Sequence, residues 1–226
     1  MLKYLLGLYR KKHVSTSVSV AVQLIPMVGG SLDTLIKSGM DALAAKRAKI
    51  FFSELQKYNP INEELLLSED YLHFLTQSLK SAVQTKQEEK IRMFARVLRN
   101  SYEKDSISDT GELEDFIKIL DELSFREIQI LHMLDAYSDT PRNGEKNDFK
   151  WTSLYWDKFE ARLTNELNIS QSEVSDIMNR IVRTGCFETY TGRYLNGETK
   201  YGKLTNTYFR LKRVIYDFDD DKDSLT

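Results

Sequence analysis

The sequence predicts a mainly α chain: an N-terminal helical domain followed by a C-terminal winged helix-turn-helix with a β-hairpin wing. Three observations predict it. Residues 151–184 read as two helices separated only by Asn168-Ile169-Ser170, a tight turn. Ser170 and Glu173 have the Ser-x-x-Glu spacing of a capping box, and Gly185 stands where a helix ends on a left-handed residue. After Gly185 the apolar period changes from helical to alternating, and Asn196-Gly197 offers the positive φ of a hairpin turn.

The N-terminal part, 1–122, is expected to be helical throughout. Leu2, Leu5, Leu6 and Tyr9 fall on one face of a first short helix, closed by Arg10, Lys11, Lys12 and His13. Val14 to Leu32 carries no charge. A span needs about 20 predominantly apolar residues, whereas Ser15, Thr16, Ser17, Ser19, Gln23, Pro26 and Gly29 interrupt this one. No small-residue signal cleavage site is evident. A buried helix ending near Pro26 is the favoured reading, and membrane association of residues 14–32 is its alternative. Leu32, Leu35, Ile36, Met40, Leu43, Ile50, Phe51 and Leu55 form the stripe of a helix to about Tyr58, ended by Asn59-Pro60. Ser68 opens the next helix. Thr85 with Glu88 suggests a capping box for a further one that buries Ile91, Phe94, Leu98 and Tyr102. After a polar linker over 103–111, Leu113, Phe116, Ile117 and Leu120 mark a helix over 112–122.

The winged-helix domain is placed at 123–216. Ser124 caps its first helix, dense in Ile128, Ile130, Leu131, Met133 and Leu134. The second helix, 151–167, turns Leu154, Phe159, Leu163 and Leu167 inward; the third buries Val174, Ile177, Met178 and Ile181. Cys186–Thr191 is the outgoing strand and Leu204–Phe209 the returning one, with Phe209, Leu211, Val214 and Ile215 completing the core. Residues 217–226, with Asp217, Asp219, Asp220, Asp221 and Asp223, form an acidic tail expected to be disordered.

In such a fold the third helix is the recognition helix. Its expected exposed residues are Gln171, Ser172, Ser175, Asn179, Arg180 and Arg183, and the wing adds Arg193, Lys200 and Lys203. Gln, Asn and Arg are base-reading types. Glu173 and Asp176 repel phosphate, however, and ten basic against seven acidic residues leave 151–216 at only +3. Since electrostatics normally supplies most affinity for DNA, a DNA ligand and a protein ligand both remain open, as does a homo-oligomer.

Nothing in the sequence points to an active site. Phosphate-loop, dinucleotide, zinc-protease and nucleophile-elbow patterns are missing, so no catalytic residue, metal or cofactor is expected. The lone Cys186 excludes an internal disulfide and fits a cytoplasmic chain. Arg126 and His132 have the loose spacing of a HEPN-type ribonuclease. Six residues along a helix separate the two side chains around its axis, and His132 lies among apolar neighbours, so a structural histidine is preferred.

Two segments resemble the bacterial abortive-infection alpha family. In Ser81–Leu98, Thr85-Lys-Gln-Glu-Glu follows the family's t-x-x-e-e break, and Phe94-Ala-Arg-Val-Leu its F-a-x-L-L. Glu114–Leu131 is similar to the family's next block, in which Phe116, Ile119, Leu123 and Ser124 take the places of its Phe, Ile, Leu and Ser. The likeness spans about residues 70–135. It implies a role in phage defence and carries over no catalytic residue. The expected function is a non-enzymatic bacterial regulator or phage-defence component that binds DNA or a protein partner. The alternatives are an accessory subunit of a DNA-handling complex, a membrane-acting effector and, last, the ribonuclease.

Overall fold

A computed structural model describes residues 40–57, 68–103, 109–190 and 201–216. The helix expected at 1–13, the uncharged 14–32, Asn59-Pro60, the hairpin tip at Asn196-Gly197 and the acidic tail lie outside these residues. Among the described residues the fold is mainly helical, with one small two-stranded sheet. No described helix is long and apolar enough to cross a membrane. The chain divides into two compact units: residues up to Lys118 together with Arg213 onward, and Ile119–Lys212.

The first unit is built on α1 (Met40–Leu55), α2 (Glu69–Gln84) and α3 (Glu88–Glu103), which pack on one another. Ser68 caps α2 by accepting from the Tyr71 N–H at 3.4 Å. Phe51, Leu55, Phe74, Leu79, Phe94 and Leu98 fill the core. α3 is buried around most of its girth: besides Ile91, Phe94 and Leu98 it buries Lys90, Arg96, Arg99 and Asn100. Buried charge persists only when paired; Glu54 is shared by Arg92, Arg96 and Arg99, and Arg96 also meets Glu89 at 2.8 Å. Glu54 Oε1 accepts from Arg96 Nε at 2.8 Å, and its Oε2 accepts from Arg92 Nη1 at 3.3 Å. Arg99 Nη1 donates to the Glu54 carbonyl at 2.8 Å. Arg96 and Asn100 also donate to the carbonyls of Ile215 and Val214, satisfying groups that a helix end leaves without intrahelical partners. The capping box expected at Thr85 does not form. Only Thr85-Lys86-Gln87 lie between the helices, and Thr85 closes α2 instead, its N–H and hydroxyl donating to Ala82 and Ser81 carbonyls. α4 (Thr110–Glu122) buries Leu113, Phe116, Ile117 and Leu120 as expected.

The second unit contains α5 (Phe125–Asp135), α6 (Asp148–Leu167), α7 (Gln171–Arg183), β1 (Phe187–Thr189) and β2 (Gly202–Leu204), followed by α8 (Asn206–Ile215). The Ser124–Glu127 capping box is complete, whereas at Ser170 both the N–H and the hydroxyl donate to Glu173 Oε2 and the Glu173 N–H donates to the Ser170 carbonyl. Trp156 lies at the centre of an aromatic core, with Phe159, Tyr201 and Phe187 rings 5.2, 5.6 and 6.2 Å from it. Leu154, expected inside, is 58% exposed. The helix starts at Asp148, three residues earlier than expected, and its buried phase is set by Trp151, Tyr155, Trp156, Phe159 and Leu163. Two residues before Trp156, Leu154 falls on roughly the opposite side.

β1 and β2 pair antiparallel, Phe187 opposite Leu204 and Thr189 opposite Gly202, and the Tyr190 N–H extends the ladder to the Tyr201 carbonyl at 3.0 Å. Gly202 is required by this register, because a Cβ there would sit 2.2 Å from the Glu188 carbonyl oxygen and 2.3 Å from the Phe187 ring. Gly185 turns the chain into β1 at a φ of 74°. The expected returning strand over Leu204–Phe209 is corrected: it stops at Leu204 and the chain enters α8. Thr205 makes the switch, its hydroxyl accepting from the Tyr208 N–H at 3.3 Å. Tyr208, Leu211, Val214 and Ile215 then make a helical stripe, and Phe209, expected in the core, is 40% exposed.

Candidate functional site

The turn Asn168–Ser170 and the helix after it form the best-defined exposed element of the second unit. Asn168 takes the left-handed conformation, φ 51°, and Ile169 is fully buried, pinning the turn to the core. Arg126 donates to the carbonyls of Leu167 at 2.7 Å and Asn168 at 3.4 Å. Thr164 donates to the Ile169 carbonyl at 2.9 Å. Glu173 Oε2 then accepts from the Ser170 N–H at 2.9 Å, and the Ser170 bonds hold its carboxyl below the usual range. Every backbone group of the turn that these side chains reach is satisfied, so the start of α7 is fixed.

α7 divides cleanly. Val174, Ile177, Met178 and Ile181 are buried, at positions four, seven, eight and eleven of the helix. The opposite face, with Gln171, Ser172, Glu173, Ser175, Asp176, Asn179, Arg180 and Arg183, is exposed. All six residues expected on this helix therefore share one exposed face, but their side chains are not equally available. Gln171 Nε2 donates to Glu160 Oε2 at 2.9 Å, and Glu160 Oε1 accepts from Trp156 Nε1 at 2.9 Å. Arg180 Nε donates to Glu127 Oε1 at 2.9 Å, while Glu127 Oε2 accepts from the Ser124 N–H at 2.8 Å. Burial pushes the Glu127 carboxyl up, but the Ser124 N–H and Arg180 outweigh it and hold it below the usual range. Arg180 thus links α7 to the start of α5.

Lys203, expected on the wing, and Lys212 of α8 are paired as well. Lys203 lies 3.1 Å from Glu188 and 3.7 Å from Asp148. Lys212 pairs with Asp135 at 2.7 Å. Arg193 and Lys200 lie outside the described residues. Arg183 has no partner among the described residues and stands at one side of a cleft of about 530 Å³ with Glu122, Leu123, Glu127, Arg180 and Thr184. Arg126 holds turn carbonyls, a structural role, and His132 is half-buried.

Glu127 and Glu160, the two carboxylates behind the face, were not among the expected site residues. Glu127 stands three residues after Ser124, so its capping role was legible in the spacing; its hold on Arg180, 53 positions away, was not. No curated protein and no solved structure matches the chain. The sequence model of the abortive infection alpha family matches residues 42–224. That match includes both segments on which the resemblance rests and more than half of the chain, which therefore belongs to the abortive infection alpha family.

Proposed function

We propose that the chain is a phage-defence component that acts by docking a protein partner through a winged helix-turn-helix in its C-terminal unit. Family membership supports the process. The order α5, α6, three-residue turn, α7 and antiparallel hairpin supports the winged-helix reading. α7 is then the recognition helix, and Ser172, Ser175 and Asn179 are its freest neutral contacts.

One observation carries the choice of a protein over DNA: Arg180, Lys203 and Lys212 are each neutralised by acidic residues of the same unit. Phosphate recognition draws its affinity from basic groups that release counterions, and α7 itself balances Arg180 and Arg183 with Glu173 and Asp176. DNA is the second reading, favoured by the exposed Arg183 beside Asn179. A duplex titration over salt separates the two. With a protein ligand, retention on duplex DNA stays weak at about 50 mM salt and changes little by about 200 mM. Tight retention at low salt that falls steeply over that range, and is lost in Arg183→Ala, would replace the protein reading with the DNA one.

A further inference from the structure

The charged side chains of α7 are arranged so that the helix complements itself. Glu173, Asp176, Arg180 and Arg183 are spaced by three, four and three residues. At about 100° per residue they fall within an arc of about 80°, one stripe beside the neutral Ser172, Ser175 and Asn179. The stripe runs acid, acid, base, base, and its order is symmetric about Met178. Laid antiparallel on a copy, it sets Glu173 against Arg183 and Asp176 against Arg180, twice over. All four residues are exposed. Asp176 and Arg183 have no partner among the described residues. Glu173 uses Oε2 in its cap, and Arg180, half-exposed, meets Glu127 through Nε, so these bonds do not use Glu173 Oε1 or the Arg180 terminal nitrogens.

We infer that the occupant of this stripe is a second copy of the chain, in a two-fold pair with the α7 helices antiparallel. Isologous contacts require a self-complementary patch, and this stripe is one. A parallel copy would set acid against acid and base against base. Exposed ion pairs are individually weak and screened by salt, so the association is weak and salt-sensitive. The inference rests on the reading of α7 as the docking face, and names the occupant of its charged half; the neutral half is left for the partner.

Sedimentation equilibrium of the full chain at low and high salt tests it. The parent is expected to self-associate at low salt and dissociate at high salt. Glu173→Lys and Arg183→Glu should each be monomeric, since each sets like charges against each other. Mixed in equal amounts, the two variants should associate. The lysine introduced in one then faces the glutamate introduced in the other, and the native Glu173 of the second faces the native Arg183 of the first. The double variant Glu173→Lys/Arg183→Glu should associate by itself. Circular dichroism checks that Glu173→Lys, which loses its cap bond, is folded. A parent that stays monomeric at its highest soluble concentration would overturn the inference. So would single variants that associate like the parent, or folded singles whose mixture stays monomeric. Loss of phage protection on altering Ser175 and Asn179, with self-association absent, would leave the docking reading intact and remove this inference alone.

Discussion

Glu54→Ala should lower the stability of the first unit by about 3–5 kcal/mol, the cost of removing one partner from a buried ionic network. Glu54 is 3% exposed and lies among three arginines, of which Arg96 and Arg99 are themselves buried. Without the carboxylate these guanidinium groups lose the counter-charge they share, although Arg96 keeps Glu89 and Arg92 keeps Glu88. The same network predicts the pH response. Burial pushes the Glu54 carboxyl up, but the hydrogen bond and charge of Arg96, with Arg92 and Lys57, prevail and hold it below its ordinary value. A carboxyl depressed in the folded state stabilises fully above its unfolded pKa and less as pH falls through the folded one. Denaturant titration of parent and Glu54→Gln should therefore show a stability gap that is full at neutral pH and narrows in acid below the ordinary glutamate range. A gap under about 1 kcal/mol at neutral pH, as for an exposed pair, would contradict the network.

Trp156→Ala should cost the second unit a comparable amount, about 3–5 kcal/mol. The indole projects from α6, is fully buried, and its removal leaves a cavity against Phe159, Phe187 and Tyr201. It also removes the donor to Glu160 Oε1, a carboxylate 5% exposed, so packing and polar losses add. Because Glu160 also holds Gln171, the variant should loosen the start of α7. Leu154→Ala, two residues away on the solvent side, should change stability by no more than about 0.5 kcal/mol. Thermal and denaturant melts of the two variants check the phase of α6 directly. Equal losses would return Leu154 to the core, where periodicity alone had placed it.

The contrast shows where sequence reasoning succeeds. Caps and turns are local chemistry, so Ser124, Ser170, Gly185 and the turn at Asn168 were legible from a few neighbouring residues. The buried face of α7 was legible because Val174, Ile177, Met178 and Ile181 fall on one helical phase. The phase of α6 was not, because apolar and aromatic residues lie all round it: Leu154 and Trp156 are both apolar, and only the core decides which is buried. α8 was misread because Thr205, Thr207, Tyr208 and Phe209 favour strands by type, and the cap at Thr205 with the stripe to Ile215 overrides that preference. The burial of the α3 arginines was not legible, since Glu54, the buried carboxylate they share, is contributed by another helix. The candidate face was legible by position, but the availability of its side chains was not. Glu127 and Glu160, distant in sequence from Arg180 and Gln171, decide which groups remain free.

The plating efficiency of phage on cells carrying the full chain, against cells carrying Ser175→Arg/Asn179→Ala, tests the central claim most directly. Both positions are exposed on α7, so the variant should fold with stability within about 0.5 kcal/mol of the parent for each exposed substitution. The added arginine obstructs a protein surface docked on the neutral half of the helix, while on DNA it would add attraction to phosphate. Docking through α7 requires a folded variant that no longer restricts phage, beside a parent that does. A folded variant that protects as well as the parent would contradict α7 as the docking face.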